Sequence, residues 1–287
     1  SGIPHLIVGA TIVGFATSLP EIIVSVIAAA GGDVEMATGN AIGSVTANTG
    51  LILGISLLFM PMAIKLREYL PQILLLIVSI AAIWLFGLSG EITIIASIVL
   101  VVLFAVFVYT NVKNAKKHIA VNAEEAAVSR EDVTKAIVAK KIILFILGCA
   151  GIVGGSELLV NYGSAIAASL GVPSRIISIS AVAIGTSLPE LVTTITAITK
   201  KQASLSVGNI LGSNIIDLTF ILPPCALAYG GGLPVSHGTL YVDLPVLFFL
   251  SMLCFVPSFF TKKFARWQGV VLLLLYIGYI VYTFIFH

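Results

Sequence analysis

Glu21 and Glu190 each stand inside a long apolar stretch, and each follows the same four residues, Thr-Ser-Leu-Pro. A charge at the centre of a membrane helix costs about 2.5–3.5 kcal/mol on insertion scales, so an acid there is either functional or bonded to a neighbouring helix. One such acid would leave the two readings level. Two in a repeated motif favour function. Pro20 has no N–H, so the carbonyl of Ala16 loses its helical partner, and Pro189 does the same to Gly185. Freed carbonyls at membrane depth are tolerated only where they line a cavity or bind something. Thr17, Ser18, Thr186 and Ser187 add hydroxyl oxygens at the same level. Carboxylate, carbonyl and hydroxyl oxygens together suit hard cations such as Ca²⁺ and Na⁺, not a soft metal that wants thiolate or imidazole.

A second polar stripe follows each motif. Asn40, Ser44 and Asn48 recur at every fourth residue along one helix face, and Asn209, Ser213 and Asp217 repeat them. Interhelical hydrogen bonding competes with ion ligation for the Asn and Ser residues. Asp217, a third membrane acid, tips the stripe toward ligation. Gly39, Gly43, Gly208 and Gly212 beside the stripes permit close helix contact. Glu21, Glu190 and Asp217 cannot all stay ionised in one low-dielectric place without counterions. One divalent cation, or two to three monovalent ones, would balance them, and competition between those loads is a physical basis for exchange.

The elements that position these residues must be membrane helices. Of 287 residues 59% are hydrophobic and 10% charged, with a mean hydropathy of +1.13; a soluble domain carries about a quarter charged residues. Nine segments can span as helices, roughly 4–30, 37–60, 70–88, 91–111, 141–169, 174–199, 204–229, 240–260 and 266–286. With nine spans, fourteen of the fifteen Lys and Arg fall on one side and only Arg175 on the other. The positive-inside rule makes the lysine-rich side, with the polar linker between Lys113 and Lys141, cytoplasmic. Cys149, Cys225 and Cys254 all lie in apolar runs and read as buried thiols.

At an offset of 169, residues 2–54 match residues 171–223 without a gap, with 16 identities in 53 positions. The Pro, Glu, Asn and Gly come into register, which chance matching of apolar helices would not produce. Residues 2 and 171 start on opposite sides, so the repeats are inverted, as in many secondary transporters. The expected organisation is a first repeat over 2–112, a linker over 113–140 and a second repeat over 141–287. The second repeat is preceded by a helix containing Glu157, and the first has no counterpart. The expectation is therefore an all-α polytopic fold showing nine of ten helices, four plus five, without the first.

The paired motifs, GFATSLPE with GNAIGSVTAN and AIGTSLPE with GNILGSNIID, resemble the calcium/cation antiporter superfamily, and within it the sodium/calcium exchanger branch of prokaryotic type. The resemblance covers the chain from residue 2. It implies a ten-helix inverted-repeat exchanger in which a bundle of the first and sixth helices slides to give alternating access. It also implies Glu21 and Glu190 as central Ca²⁺ ligands, with the carbonyls of Thr17 and Thr186. Flanking Na⁺ sites would use Ser18, Ser44, Ser187, Ser213, Asp217 and the carbonyl of Ala183, with Asn48 opposite Asp217. The serines favour Na⁺ as coupling ion, since proton-coupled relatives use a different motif. The sequence departs from the family pattern in three places. Val45 stands where the second repeat has Asn214; Gly14 replaces an alanine whose carbonyl helps hold Na⁺; and the first bundle helix is missing. Glu157 reads as a structural or gate-lining acid.

The resulting expectation is a Ca²⁺/Na⁺ antiporter in a prokaryotic plasma membrane. It has no cofactor and no nucleic-acid partner, its contacts are lipid and the two ions, and a monomer is compatible with it. Proton-coupled and K⁺-dependent exchangers, or a fragment that keeps the site without transporting, are the alternatives. Enzyme readings fail: no protease GxGD pair or Ser/His dyad is present, and the four histidines sit at ends or in loops.

Overall fold

Pro20 and Pro189 end one helix and begin the next. The computed structural model describes residues 5–64, 66–121, 143, 144, 146–148, 150, 151, 154, 155, 158, 161, 162, 165, 166 and 168–286. Helix α1 (His5–Thr17) bends by 41° into α2 (Leu19–Ala30), and α6 (Ser174–Thr186) bends by 42° into α7 (Leu188–Thr199). Each proline falls in the first turn of the second half-helix. There its missing N–H costs nothing, because first-turn donors have no intrahelical partner. Each bent pair is followed by a long helix, α3 (Val34–Phe59) and α8 (Ala203–Tyr229). The remaining spans are α4 (Arg67–Gly87), α5 (Ile94–Lys116), α9 (Thr239–Thr261) and α10 (Arg266–Phe286).

Counting each bent pair once, eight spans lie among the described residues. The chain is an integral, multi-pass, all-α membrane protein. The other predicted span, 141–169, is described only in part, and its described residues from 143 to 169 are helical. Glu157 and Cys149 lie outside the described residues, as do residues 122–140 of the expected linker. The helix of α5 continues from Ile94 to Val121, past Lys113, where the linker is expected to begin. Cys225 and Cys254 are buried free thiols, as the apolar runs around them require.

Helices α3 and α8 are the most buried spans, and α5 and α10 the least. Apolar side chains on the outer helices, such as Ile95 at 71% and Leu274 at 63% exposure, therefore face lipid. Two short antiparallel ribbons fix the relation of the repeats. Met62–Ala63, after α3, pairs with Lys263–Phe264 before α10; Glu91–Thr93, after α4, pairs with Gly232–Pro234 after α8. The 21-residue α4 separates the two ribbons by about 31 Å at 1.5 Å per residue. The chain leaves α3 at one ribbon and leaves α8 at the other, so corresponding points of the repeats lie at opposite membrane faces. The repeats are inverted.

The local helical geometry repeats as well. Gly9–Val13 and Ser178–Val182 are π-helical turns, and so are Asn48–Ile52 and Asp217–Ile221. Both pairs differ by the offset of 169. Single π turns often mark functional sites because they shift the register of the helix face.

Candidate cation site

The half-helices interlock across the repeats. α1 packs on α8 of the other repeat and α2 on α3 of its own; α6 packs on α3 and α7 on α8. Glycine makes the crossed contacts possible. A Cβ added at Gly212 would come within 3.0 Å of three backbone atoms of Ala10, and one at Gly208 would meet the backbone of Leu6. On the mirror side, Gly43 faces Ile179 and Ala183, and Gly39 faces Ser178. Both breaks are thereby pressed against the polar stripes of the long helices.

Side chains at the two breaks bond in matching patterns. Thr17 Oγ1 lies 3.2 Å from the Gly14 carbonyl, 3.4 Å from Asn209 Oδ1 and 3.3 Å from Ser213 Oγ. Thr186 Oγ1 lies 3.3 Å from the Ala183 carbonyl, 3.0 Å from Asn40 Oδ1 and 3.2 Å from Ser44 Oγ. The Gly14 and Ala183 carbonyls face the serines of the opposite repeat, each at 3.5 Å. Asn40 and Asn209 serve as braces. Asn40 Nδ2 donates to Ser25 Oγ at 2.8 Å and to the Glu21 carbonyl at 3.3 Å, while Asn209 Nδ2 donates to Thr193 Oγ1 at 2.8 Å.

Glu21 and Glu190 are 0% exposed. Each stands in the first turn of its half-helix, where the positive end of the helix dipole favours a carboxylate charge. Glu21 Oε1 accepts from Ser187 Oγ at 3.3 Å, and Glu190 Oε1 accepts from Ser213 Oγ at 2.9 Å. Glu21 lies within electrostatic reach of both Glu190 and Asp217, and Asp217 within reach of Glu190. The three predicted acids therefore share one region, with Ser18 beside Asp217. Among the described residues, however, no three His, Cys, Asp or Glu side chains converge closely enough to hold a metal by themselves. Any ion here draws part of its shell from hydroxyl, amide and carbonyl oxygen.

Unsatisfied oxygen concentrates in this region. Ser18 Oγ, Glu21 Oε2, Glu190 Oε2, Asn48 Oδ1 and both carboxylate oxygens of Asp217 are buried and have no hydrogen-bond partner among the described residues. Burying polar atoms without partners costs about 1–3 kcal/mol each, more when charged. A cluster of acceptors lacking donors is the environment that a desolvated cation satisfies. All twelve predicted site residues thus fall at the two breaks or on the facing stripes. The threonine hydroxyls are already engaged in the crossed hydrogen bonds, which leaves their carbonyls as the remaining oxygens.

Sequence reasoning gave no role to Ser25, Thr193 or Thr49. Ser25 and Thr193 hold the asparagine braces, and Thr49 Oγ1 accepts from Asn214 Nδ2 at 3.0 Å. Asn214, where the first repeat has Val45, is thus an interrepeat contact with no mirror. Asp243 was also passed over, although an acid within an apolar segment is the same signal that singled out Glu21.

A family description, sodium/calcium exchanger protein, matches residues 1–113 and 140–285. An uncharacterized membrane protein of Methanocaldococcus jannaschii is 33% identical over 96% of this chain and 85% of its own length. The sodium/calcium exchanger MaX1 of Methanosarcina acetivorans is 28% identical over 99% of this chain and 90% of its own. A solved structure of the sodium-calcium exchanger NCX_Mj, soaked with Na⁺ and Sr²⁺, is similar with a TM-score of 0.80 and 31% identity, covering 97% of this chain and 87% of that one. The chain belongs to the sodium/calcium exchanger protein family.

Proposed function

We propose that the chain is a secondary active antiporter that exchanges Ca²⁺ for Na⁺ across a membrane by alternating access. The observation that carries the reading is the pair of matching oxygen clusters at the broken helices, with buried carboxylate oxygens that have no partner among the described residues. Glu21 and Glu190 would form the centre of the site, each contributed by one repeat. Thr17 and Thr186 would add backbone carbonyls. Ser18, Ser44, Ser187, Ser213, Asn48 and Asp217, with the carbonyls of Gly14 and Ala183, would flank it.

Exchange follows from charge. Two or three carboxylates packed without cations repel one another, and carrying them through the low-dielectric interior is costly. Either one Ca²⁺ or several Na⁺ offsets that charge, so each load excludes the other and an empty site resists crossing. The hard, all-oxygen donor set fits both ions. The names of MaX1 and NCX_Mj agree with this pairing. The lysine-rich side would face the cytoplasm, as the positive-inside rule requires.

The test is ⁴⁵Ca²⁺ uptake into Na⁺-loaded proteoliposomes diluted into Na⁺-free buffer. Uptake should require the outward Na⁺ gradient and disappear in Glu190→Gln, which keeps the shape of the side chain and removes its charge. Uptake that follows an imposed pH gradient and ignores Na⁺ would overturn Na⁺ coupling and make protons the exchanged ion. Uptake that needs K⁺ together with Na⁺ would add a second coupling ion to the same site.

A further inference from the structure

Arg175, alone among the described Lys and Arg residues on the side away from the lysine-rich face, is buried, with 7% exposure. Its Nη2 donates to Asp243 Oδ1 at 2.7 Å, and the Tyr279 hydroxyl donates to the same oxygen at 2.9 Å. Three elements meet at that carboxylate: the first turn of α6, the start of α9, and α10. The local backbone is shaped around it. Thr239–Asp243 forms a π-helical turn that ends on Asp243. Gly238 leaves the room that the guanidinium fills, since a Cβ there would fall within 3.0 Å of three of its atoms.

Stability alone is a poor reason for this cluster. Apolar side chains of similar volume commonly do as well as a buried ion pair or better. The repeat supplies the comparison: the mirror of Arg175 is Leu6, an uncharged residue whose backbone lies against Gly208. So α6 is tied at its outer end by directional side-chain bonds, and Leu6, at the corresponding position of α1, has no polar side-chain atom to make one. Arg175 Nε and Asp243 Oδ2 have no partner among the described residues, so the pair is a single contact and not a bidentate fork. Following α6 from this end leads through the Ser178–Val182 π turn to the Ala183 carbonyl, Thr186 and Ser187.

We propose that Arg175, Asp243 and Tyr279 form a latch that holds the outer end of α6 on α9 and α10 and sets the balance between the two access states of the transporter. These are positioning residues that act on the ion site through α6. The proposal rests on the exchange reading for the meaning of those states. It predicts an effect on how the two faces differ, which a mere structural staple would not produce.

The decisive variant is the double change Arg175→Leu/Asp243→Leu, which removes both charges together and places at 175 the residue of its mirror position. Tyr279→Phe, which deletes a single hydroxyl, guards against failure to fold. Half-saturating Ca²⁺ is measured from each face of oriented proteoliposomes. Apparent affinity at a face scales with the fraction of molecules open to it, so the two values should move in opposite directions, by about threefold or more in the double variant and less in Tyr279→Phe. Values that stay fixed, change in parallel, or accompany only a lower maximal rate would overturn the latch. Should the unaltered chain fail to exchange Ca²⁺ for Na⁺, the exchange reading fails separately. The latch is then judged by spin labels at the exposed positions Leu170 and Phe284. A change in the weights of the distance distribution in the double variant supports it, and unchanged weights, with or without broadening, reject it.

Discussion

At the scale of the residue, the two halves of the site share a plan and differ in detail, and the differences make testable statements. Ser213 and Ser44 are mirror positions, and each approaches the threonine and carbonyl of the opposite repeat. Only Ser213 also donates to a carboxylate, Glu190 Oε1 at 2.9 Å. A hydrogen bond to a charged group contributes about 1.5–3 kcal/mol, twice or more that of a neutral one. Ser213→Ala should therefore raise half-saturating Na⁺ by about tenfold, and Ser44→Ala by about threefold. The comparison is read from Na⁺-dependent Ca²⁺ flux in reconstituted vesicles. Equal effects would mean that the Ser213–Glu190 bond does not set the position of that carboxylate. The amide pair is a second asymmetry. Asn48, the mirror of Asp217, has both amide atoms unpartnered among the described residues, so one repeat contributes a charge where the other contributes a dipole.

At the scale of the element, the site exists because helices approach more closely than side chains normally allow. The α1–α8 crossing has backbone against backbone at Gly212, and an added methyl there would collide with Ala10. Forcing bulk into a closed contact costs about 1–3 kcal/mol. Gly212→Ala should lower the thermal midpoint of the detergent-solubilised protein and weaken Ca²⁺ uptake. Gly278→Ala makes the opposite prediction, because nothing lies within 4 Å of its added methyl. There the gain in helix propensity, about 0.5–1 kcal/mol, should raise the midpoint. A Gly212→Ala protein as stable as the parent would refute the close crossing. Much of this level was legible in the sequence, because Pro20, Pro189, Gly39, Gly43, Gly208 and Gly212 each carry a backbone consequence that repeats at a fixed offset. The π turns were not, since a register shift leaves no mark in residue type. The Arg175–Asp243 pair was not, because its partners are 68 residues apart and the repeat preserves neither residue. The helix of α5 runs on to Val121, past the predicted end of the span at 111, because polarity alone does not stop a helix.

At the scale of the molecule, the repeats are two structural units in sequence and one in space. Each bent helix divides its packing between its own repeat and the other. Each ribbon joins a strand from one repeat to a strand from the other. Helix α10 crosses α3 where Gly269 meets the Gly54 carbonyl and Tyr276 covers Gly50. Neither repeat alone closes a site, because Thr17 needs Ser213 and Thr186 needs Ser44. A half expressed by itself would expose the glycine-lined backbone of α3 or α8 together with the buried carboxylates, which lipid cannot satisfy. These contacts are all made by described residues on either side of the covalent link between the halves. A chain divided between residues 121 and 143, with its two pieces produced together, should therefore reassemble, copurify through a tag on either piece and recover Na⁺-dependent Ca²⁺ uptake. Each piece produced alone should be degraded or aggregate. Copurification without uptake would show that the link is needed for movement though not for assembly. Failure to copurify would mean that the crossed helix contacts are too weak to hold the repeats together, and that the site depends on the chain being continuous.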